Sequence, residues 1–280
     1  TDSGGYQIYS LEPTIDDHGA TFTSTYDGST HLFTPEEAAH VQASIGADIQ
    51  MVLDVCPSSV ADRGVLRRAV DRTALWADRG RSAFLAHPDA SSRQCQFGIV
   101  QGGTDEALRV ESARRTIEVG FDGYAVGGLS VGEERSEMLD GLDACVELLP
   151  ADRPRYFMGL GDPVGIVESV GRGVDMFDCV LPTRLARHGT ILTDGGRYNL
   201  TRAEFASSDD PLDPHWSESP AARYSRGYLR HLLLTREPTA PRLITLHNVA
   251  WLLRFMDRLA AAIRAGEFAS FRSETLAVWS

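Results

Sequence analysis

Three aspartates stand out for the company they keep. Asp178 lies inside Met176-Phe177-Asp178-Cys179-Val180-Leu181, where a carboxylate interrupts a run that otherwise reads as a buried strand. An ionised carboxyl in such surroundings is costly unless it is hydrogen-bonded or put to use, and perturbed carboxylates concentrate at reacting sites. A satisfied core Asp is the ordinary alternative. Asp54 closes the apolar stretch Met51-Val52-Leu53, a place equally suited to a helix cap. Asp2, in Asp2-Ser3-Gly4-Gly5-Tyr6-Gln7, taken alone reads as part of a glycine-flanked turn.

Other residues suit a flat, polar ligand. Gln101-Gly102-Gly103 puts an amide at a strand end and follows it with glycines that let a planar molecule approach the backbone. Gly127-Gly128-Leu129-Ser130-Val131-Gly132-Glu133 has the same character, although glycine-rich turns are common. Tyr6 and Met158 offer an aromatic ring and a thioether that could sandwich a ring, against the commoner fate of core packing. Arg184, Arg187 and His188 form a small basic patch just after the Asp178 run, read as a solvated loop or as a phosphate contact.

The elements that must position these residues alternate. Short apolar runs at 48–53, 96–100, 123–126, 155–158, 176–180 and 242–246 read as strands. Helices are expected from Thr34-Pro35-Glu36-Glu37 onward, which supplies a capping Thr, an N1 Pro and a following Glu, and over 59–77, 104–119, 133–149, 222–234 and 248–265. The last should bury Trp251, Leu252, Phe255, Leu259 and Ile263 on one face and stop at Gly266. Such alternation means a parallel sheet with crossover helices. No GxGxxG follows the first strand, which argues against dinucleotide binding. Polar and glycine-rich residues cluster instead at the C-terminal ends of the strands, where a (β/α)₈ TIM barrel keeps its chemistry. About six strands are legible where eight close a barrel, so the missing ones are expected before Thr1. Residues 194–220 read as an insertion.

Composition narrows the class. The chain of 280 residues is 42% hydrophobic and 24% charged, the profile of a globular protein, and no apolar run is long enough for a membrane helix. All 27 basic residues are Arg, and the net charge of −12 means that nucleic acid must be met by local Arg clusters. The four cysteines, Cys56, Cys95, Cys145 and Cys179, show no CxxC spacing, so a reducing cytoplasm is the expected compartment.

Four blocks together carry a specific resemblance: 2–7 (DSGGYQ), 97–103 (FGIVQGG), 120–129 (GFDGYAVGGL) and 173–184 (GVDMFDCVLPTR). With Tyr224-Ser225-Arg226-Gly227-Tyr228-Leu229 and His247-Asn248 they resemble, in order and in register, the tRNA-guanine transglycosylase (queuine tRNA-ribosyltransferase) family. The resemblance implies one (β/α)₈ barrel domain over 1–280 with a small inserted subdomain at 194–247. It implies a pentosyltransferase that exchanges guanine in tRNA for a 7-deazaguanine. Asp178 would be the nucleophile at ribose C1′ and Asp2 the general acid/base, in the manner of a retaining glycosidase. Asp54 would accept from N1–H and the 2-amino group of a guanine edge, with Gln101 and the Gly128 N–H at the 6-oxo group and Tyr6 and Met158 on the ring faces. Arg184, Arg187 and Arg223 would meet RNA phosphate. The family suggests a homodimer.

Two departures qualify this. The family's zinc site takes three Cys and a later His, and in register this chain has Trp216, Glu218, Ala221 and His247. Zinc needs a complete shell, so no metal and no cofactor are expected; His215 with Glu218 and His247 is the only conceivable rescue, and Trp216 is expected to act as an apolar plug. The family's first barrel strands precede the Asp2 block, so the chain is expected to be a fragment. Two alternatives stay open at this point: a 7-deazaguanine joined to a small sugar donor or to DNA, and a non-catalytic RNA-binding partner subunit.

Overall fold

The computed structural model covers residues 1–280 and divides into two units, Thr1–Leu160 with Ser169–Asp178, and Gly161–Glu168 with Cys179–Ser280. In the first, helix α1 (Gly5–Tyr9) precedes a small antiparallel sheet of β1 (Thr14–Ile15), β2 (Ala20–Thr23) and β3 (Thr30–Phe33). Helix α2 (Pro35–Ile45) starts as its sequence requires, the Thr34 hydroxyl accepting from the Glu37 N–H at 3.2 Å and Gly46 closing it in the left-handed region.

The chain then builds β4 (Ile49–Met51), α3 (Arg63–Ala86), α4 (Pro88–Arg93), β5 (Cys95–Val100), α5 (Glu106–Val119), β6 (Gly123–Val126), α6 (Arg135–Val146), β7 (Arg155–Phe157), α7 (Pro163–Val170) and β8 (Met176–Phe177). The five strands from β4 to β8 pair in parallel in that order, a five-stranded part of a (β/α) barrel. All four residues of β6 and five of the six in β5 are buried, because helices cover a parallel sheet and leave its strands no wet face. Phe97 lies opposite Gly123, whose missing side chain makes room for the Phe97 ring.

Parallel strands place all their C-terminal ends on one edge. Asp54, Gln101, Gly127-Gly128, Met158 and Asp178 all stand just beyond that edge. The antiparallel sheet, which the sequence reading left out, anchors α1 nearby. Trp76 of α3, 1% exposed, donates from Nε1 to the Asp17 carbonyl at 3.1 Å and packs with Ile8, Ala20, Ala38 and Leu53.

The second unit contains α8 (Leu181–Arg187), the hairpin β9 (Thr190–Thr193) and β10 (Gly196–Asn199), α9 (Arg226–Leu234), α10 (Thr239–Ala265) and α11 (Phe268–Trp279). Asn248 ties three of them, accepting from the Leu192 N–H at 3.0 Å and donating to the carbonyls of Thr190 at 2.9 Å and Pro182 at 3.2 Å. The expected strand at 242–246 does not exist: these residues belong to α10. A five-residue apolar run does not distinguish strand from buried helix, and Pro241 sits in the first helical turn, where it costs no hydrogen bond. The buried series Ile244, His247, Asn248, Trp251, Phe255, Leu259 keeps the helical period throughout. Ile263, expected on that face, is 49% exposed.

Candidate active site

Asp54 is the deepest of the three carboxyls, 6% exposed. Its Oδ2 accepts from Gln101 Nε2 at 2.6 Å. Gly5 lies directly against it: a Cβ on Gly5 would overlap Asp54 Oδ1 and come within 2.8 Å of the Asp54 carbonyl oxygen. The glycines of the Asp2 block therefore let α1 seat on the end of β4, which brings Asp2 to Asp54. Burial pushes the Asp54 carboxyl up to about 7, the Gln101 bond opposes this, and the charge of Asp2 adds to it. Solvent still reaches Asp2, yet the protein packed around its carboxyl raises it above the usual carboxylate range. The Ser3 N–H, donating to Asp2 Oδ1 at 2.9 Å, opposes that rise, and the neighbouring Asp178 reinforces it.

Asp178 corrects one expectation. It is not a buried interruption of a strand, because β8 ends at Phe177 and Asp178 is exposed just beyond it. Its position is fixed nonetheless. Tyr156 Oη donates to Asp178 Oδ1 at 2.6 Å, and the Gly159 N–H donates to the same oxygen at 2.7 Å. Both bonds end on Oδ1 and neither on Oδ2. Sequence reading missed Tyr156; its signal was a Tyr beside a Phe at the end of a short strand. Burial first, and the Asp178 bond second, hold the Tyr156 phenol well above its ordinary pKa, so it remains a donor.

Gln101 and Gly128 lie against each other. Gly128 has φ +65°, and a Cβ on it would overlap Gln101 Oε1, which is buried without a hydrogen-bond partner. Glu133 holds the following turn, accepting from the N–H groups of Ser130 and Val131. Met158 is partly buried, its sulfur 3.6 Å from where a Gly127 Cβ would stand, while Tyr6 on α1 is 57% exposed. The site is thus the C-terminal edge of the sheet, with two raised carboxyls, an anchored third, and the Gln101 amide and Gly128 beside them. Such a set can manage protons and deliver a carboxylate oxygen to carbon.

The family model described as Queuine tRNA-ribosyltransferase matches residues 1–280. The chain belongs to that family. It is a pentosyltransferase by that membership. A queuine tRNA-ribosyltransferase of Solidesulfovibrio magneticus is 49% identical over 281 residues, covering 100% of this chain and 74% of the relative. Those of Nitratidesulfovibrio vulgaris and Thermotoga neapolitana are each 46% identical over 281 residues, covering all of this chain and 74% and 75% of the relatives. No helix is long and apolar enough to cross a membrane.

In the second unit Arg184, Arg187 and Arg223 are exposed. Arg223 lies over the Tyr224 ring at 4.8 Å, whereas Arg226 is held at Tyr198 and Phe205 and near Asp210. The family's zinc does not fit the residues present. His247 is fully buried, with Nε2 2.8 Å from the Leu192 carbonyl and Nδ1 2.7 Å from Ser219 Oγ. The carbonyl can only accept, so Nε2 carries the proton and Nδ1 accepts from the serine hydroxyl. Burial lowers the pKa of the ring, which favours its neutral form. Trp216 covers the ring at 5.4 Å between centroids, and Ala221 is buried. His215 and Glu218 are exposed, no three His, Cys, Asp or Glu converge, and the rescue shell around His247 therefore does not form.

The Asp54 shift has a consequence for stability. Between pH 4 and pH 7 the folded chain keeps a proton that the unfolded chain has lost, so this group lowers stability as pH rises through that window. Asp54→Asn removes the dependence and retains an acceptor for Gln101. Urea unfolding at several pH values is expected to show the variant gaining on the wild type from pH 4 to 7, by on the order of 2–4 kcal/mol, and no further above pH 8.

Proposed function

We propose that the protein exchanges a guanine in tRNA for a 7-deazaguanine base through a covalent ribosyl–Asp178 intermediate. Membership of the family supports the tRNA-guanine transglycosylase activity itself. The observation that carries the mechanism is the convergence of Asp2, Asp54 and Asp178 beyond one sheet edge.

Asp178 Oδ2 attacks ribose C1′ while the C1′–N9 bond breaks and its electron pair passes to the departing guanine. Tyr156 and the Gly159 N–H, both on Oδ1, fix the direction of that attack. Asp2, whose carboxyl is raised by burial above the usual carboxylate range, protonates the leaving base. It then takes the N9 proton of the incoming base, whose nitrogen attacks C1′, and the C1′–Oδ2 pair returns to Asp178. The logic is that of a retaining glycosidase with a heterocyclic nitrogen in place of water.

Asp54 reads the N1–H and 2-amino donors of the base, Gln101 and the Gly128 N–H its 6-oxo edge, and Tyr6 and Met158 its faces. The 6-oxo group would accept from Gln101 Nε2, while the unpartnered Gln101 Oε1 supports a ligand that brings a donor to this turn, because a buried acceptor left without one is costly. Arg184, Arg187 and Arg223 contact phosphate. The region around His247 closes without metal or other cofactor, as the occupied imidazole supports.

Two outcomes test the reading. Asp178→Asn is expected to lose labelled-guanine exchange into tRNA by about 10³-fold or more. Tyr156→Phe should lower kcat by about 10- to 100-fold, the worth of one hydrogen bond to a charged group, with little change in KM for guanine. Exchange into DNA or a nucleotide sugar, with tRNA unlabelled, would replace the substrate assignment. Elemental analysis is expected to find no stoichiometric zinc, and a chelator should leave Tm unchanged. Trp216→Ala should then cost about 3–5 kcal/mol.

A further inference from the structure

Helix α5 carries a fully buried arginine. Arg109 is 0% exposed, and none of its bonds goes to a carboxylate. Nε donates to the Gly103 carbonyl at 2.8 Å and Nη1 to the Val100 carbonyl at 3.2 Å, while Nη2 is buried without a partner. Removing a guanidinium from water without an opposing charge is expensive, and a Leu or Met would fill the same space without that penalty. What the arginine supplies instead is a planar fork that reaches two carbonyls at once.

The rest of the helix's N-terminal half completes the same grip. Ser112 Oγ accepts from the Gln101 N–H at 2.9 Å, and the Asp105 N–H donates to the Gly102 carbonyl at 3.1 Å. Every residue from Val100 to Gly103 is therefore bonded to α5 or its cap. Gly102 lies so close that a Cβ on it would come within 2.8 Å of the Arg109 backbone nitrogen. The segment gripped in this way bears one side chain of consequence, Gln101, whose amide reaches Asp54.

We infer that Arg109 and Ser112 are positioning residues for base recognition: they clamp the 100–103 turn so that Gln101 meets the base and Asp54 at fixed geometry. The inference rests on the base-exchange reading above. A clamp of this kind acts on the affinity for the base, and only through Gln101.

The test uses the whole protein with guanine and tRNA, measuring guanine Kd by equilibrium dialysis and kcat and KM by labelled-guanine exchange. Arg109→Lys and Ser112→Ala are each expected to raise Kd and KM for guanine about five- to tenfold. Change in kcat should stay within about twofold, and KM for tRNA should not move. In a Gln101→Ala background neither substitution should add to the loss, because interacting residues are not additive. Wild-type affinity in both single variants, or the same penalty with and without Gln101, would overturn the clamp. If Arg109→Lys does not fold, Ser112→Ala, which removes one hydroxyl, carries the same cycle. Asp178→Asn separates the two readings: it should bind guanine without exchanging it. If it exchanges at the wild-type rate, the covalent mechanism fails while the clamp is still decided by the affinities.

Discussion

A carboxyl held in a dry place organises the first unit. Asp54 is reached only because Gly5 lies flat against it and Gln101 offers it an amide. Each of these demands its own support. Gly5 requires α1 to be seated, which Trp76 and the antiparallel sheet secure. Gln101 requires the turn after β5 to be immobile.

That arrangement explains why the three acids behave differently. Asp54 loses its water, Asp2 is partly shielded and leans on its neighbours' charge, and Asp178 stays wet but tethered. In the proposed mechanism a single residue type would serve for reading hydrogen-bond donors, for holding a proton and for attacking carbon. The division comes from depth relative to the strand ends rather than from the side chains.

Much of this was legible in the sequence, for definite reasons. Strands β5 and β6 are uninterrupted apolar runs, and the residues after them are polar or glycine, so the edge bearing the chemistry could be read directly. Thr34 and Gly266 marked helix ends through side-chain and backbone rules that need no tertiary information. The sheet of β1 to β3 was not legible, because its short strands expose half of their residues and carry little pattern. The segment 242–246 misled because β-branched residues also pack well in a buried helix. Tyr156 was hidden for another reason: its meaning depends on Asp178, 22 residues later, and no local pattern reports such a partner.

The closure around His247 changes what can damage the second unit. A thiolate-held ion is vulnerable to peroxide, to electrophiles and to scarcity of the element itself. Here a serine hydroxyl, a backbone carbonyl and an indole do the holding. On the metal-free reading proposed above, none of them has to be loaded after synthesis, so this part of the chain would mature as soon as it folds.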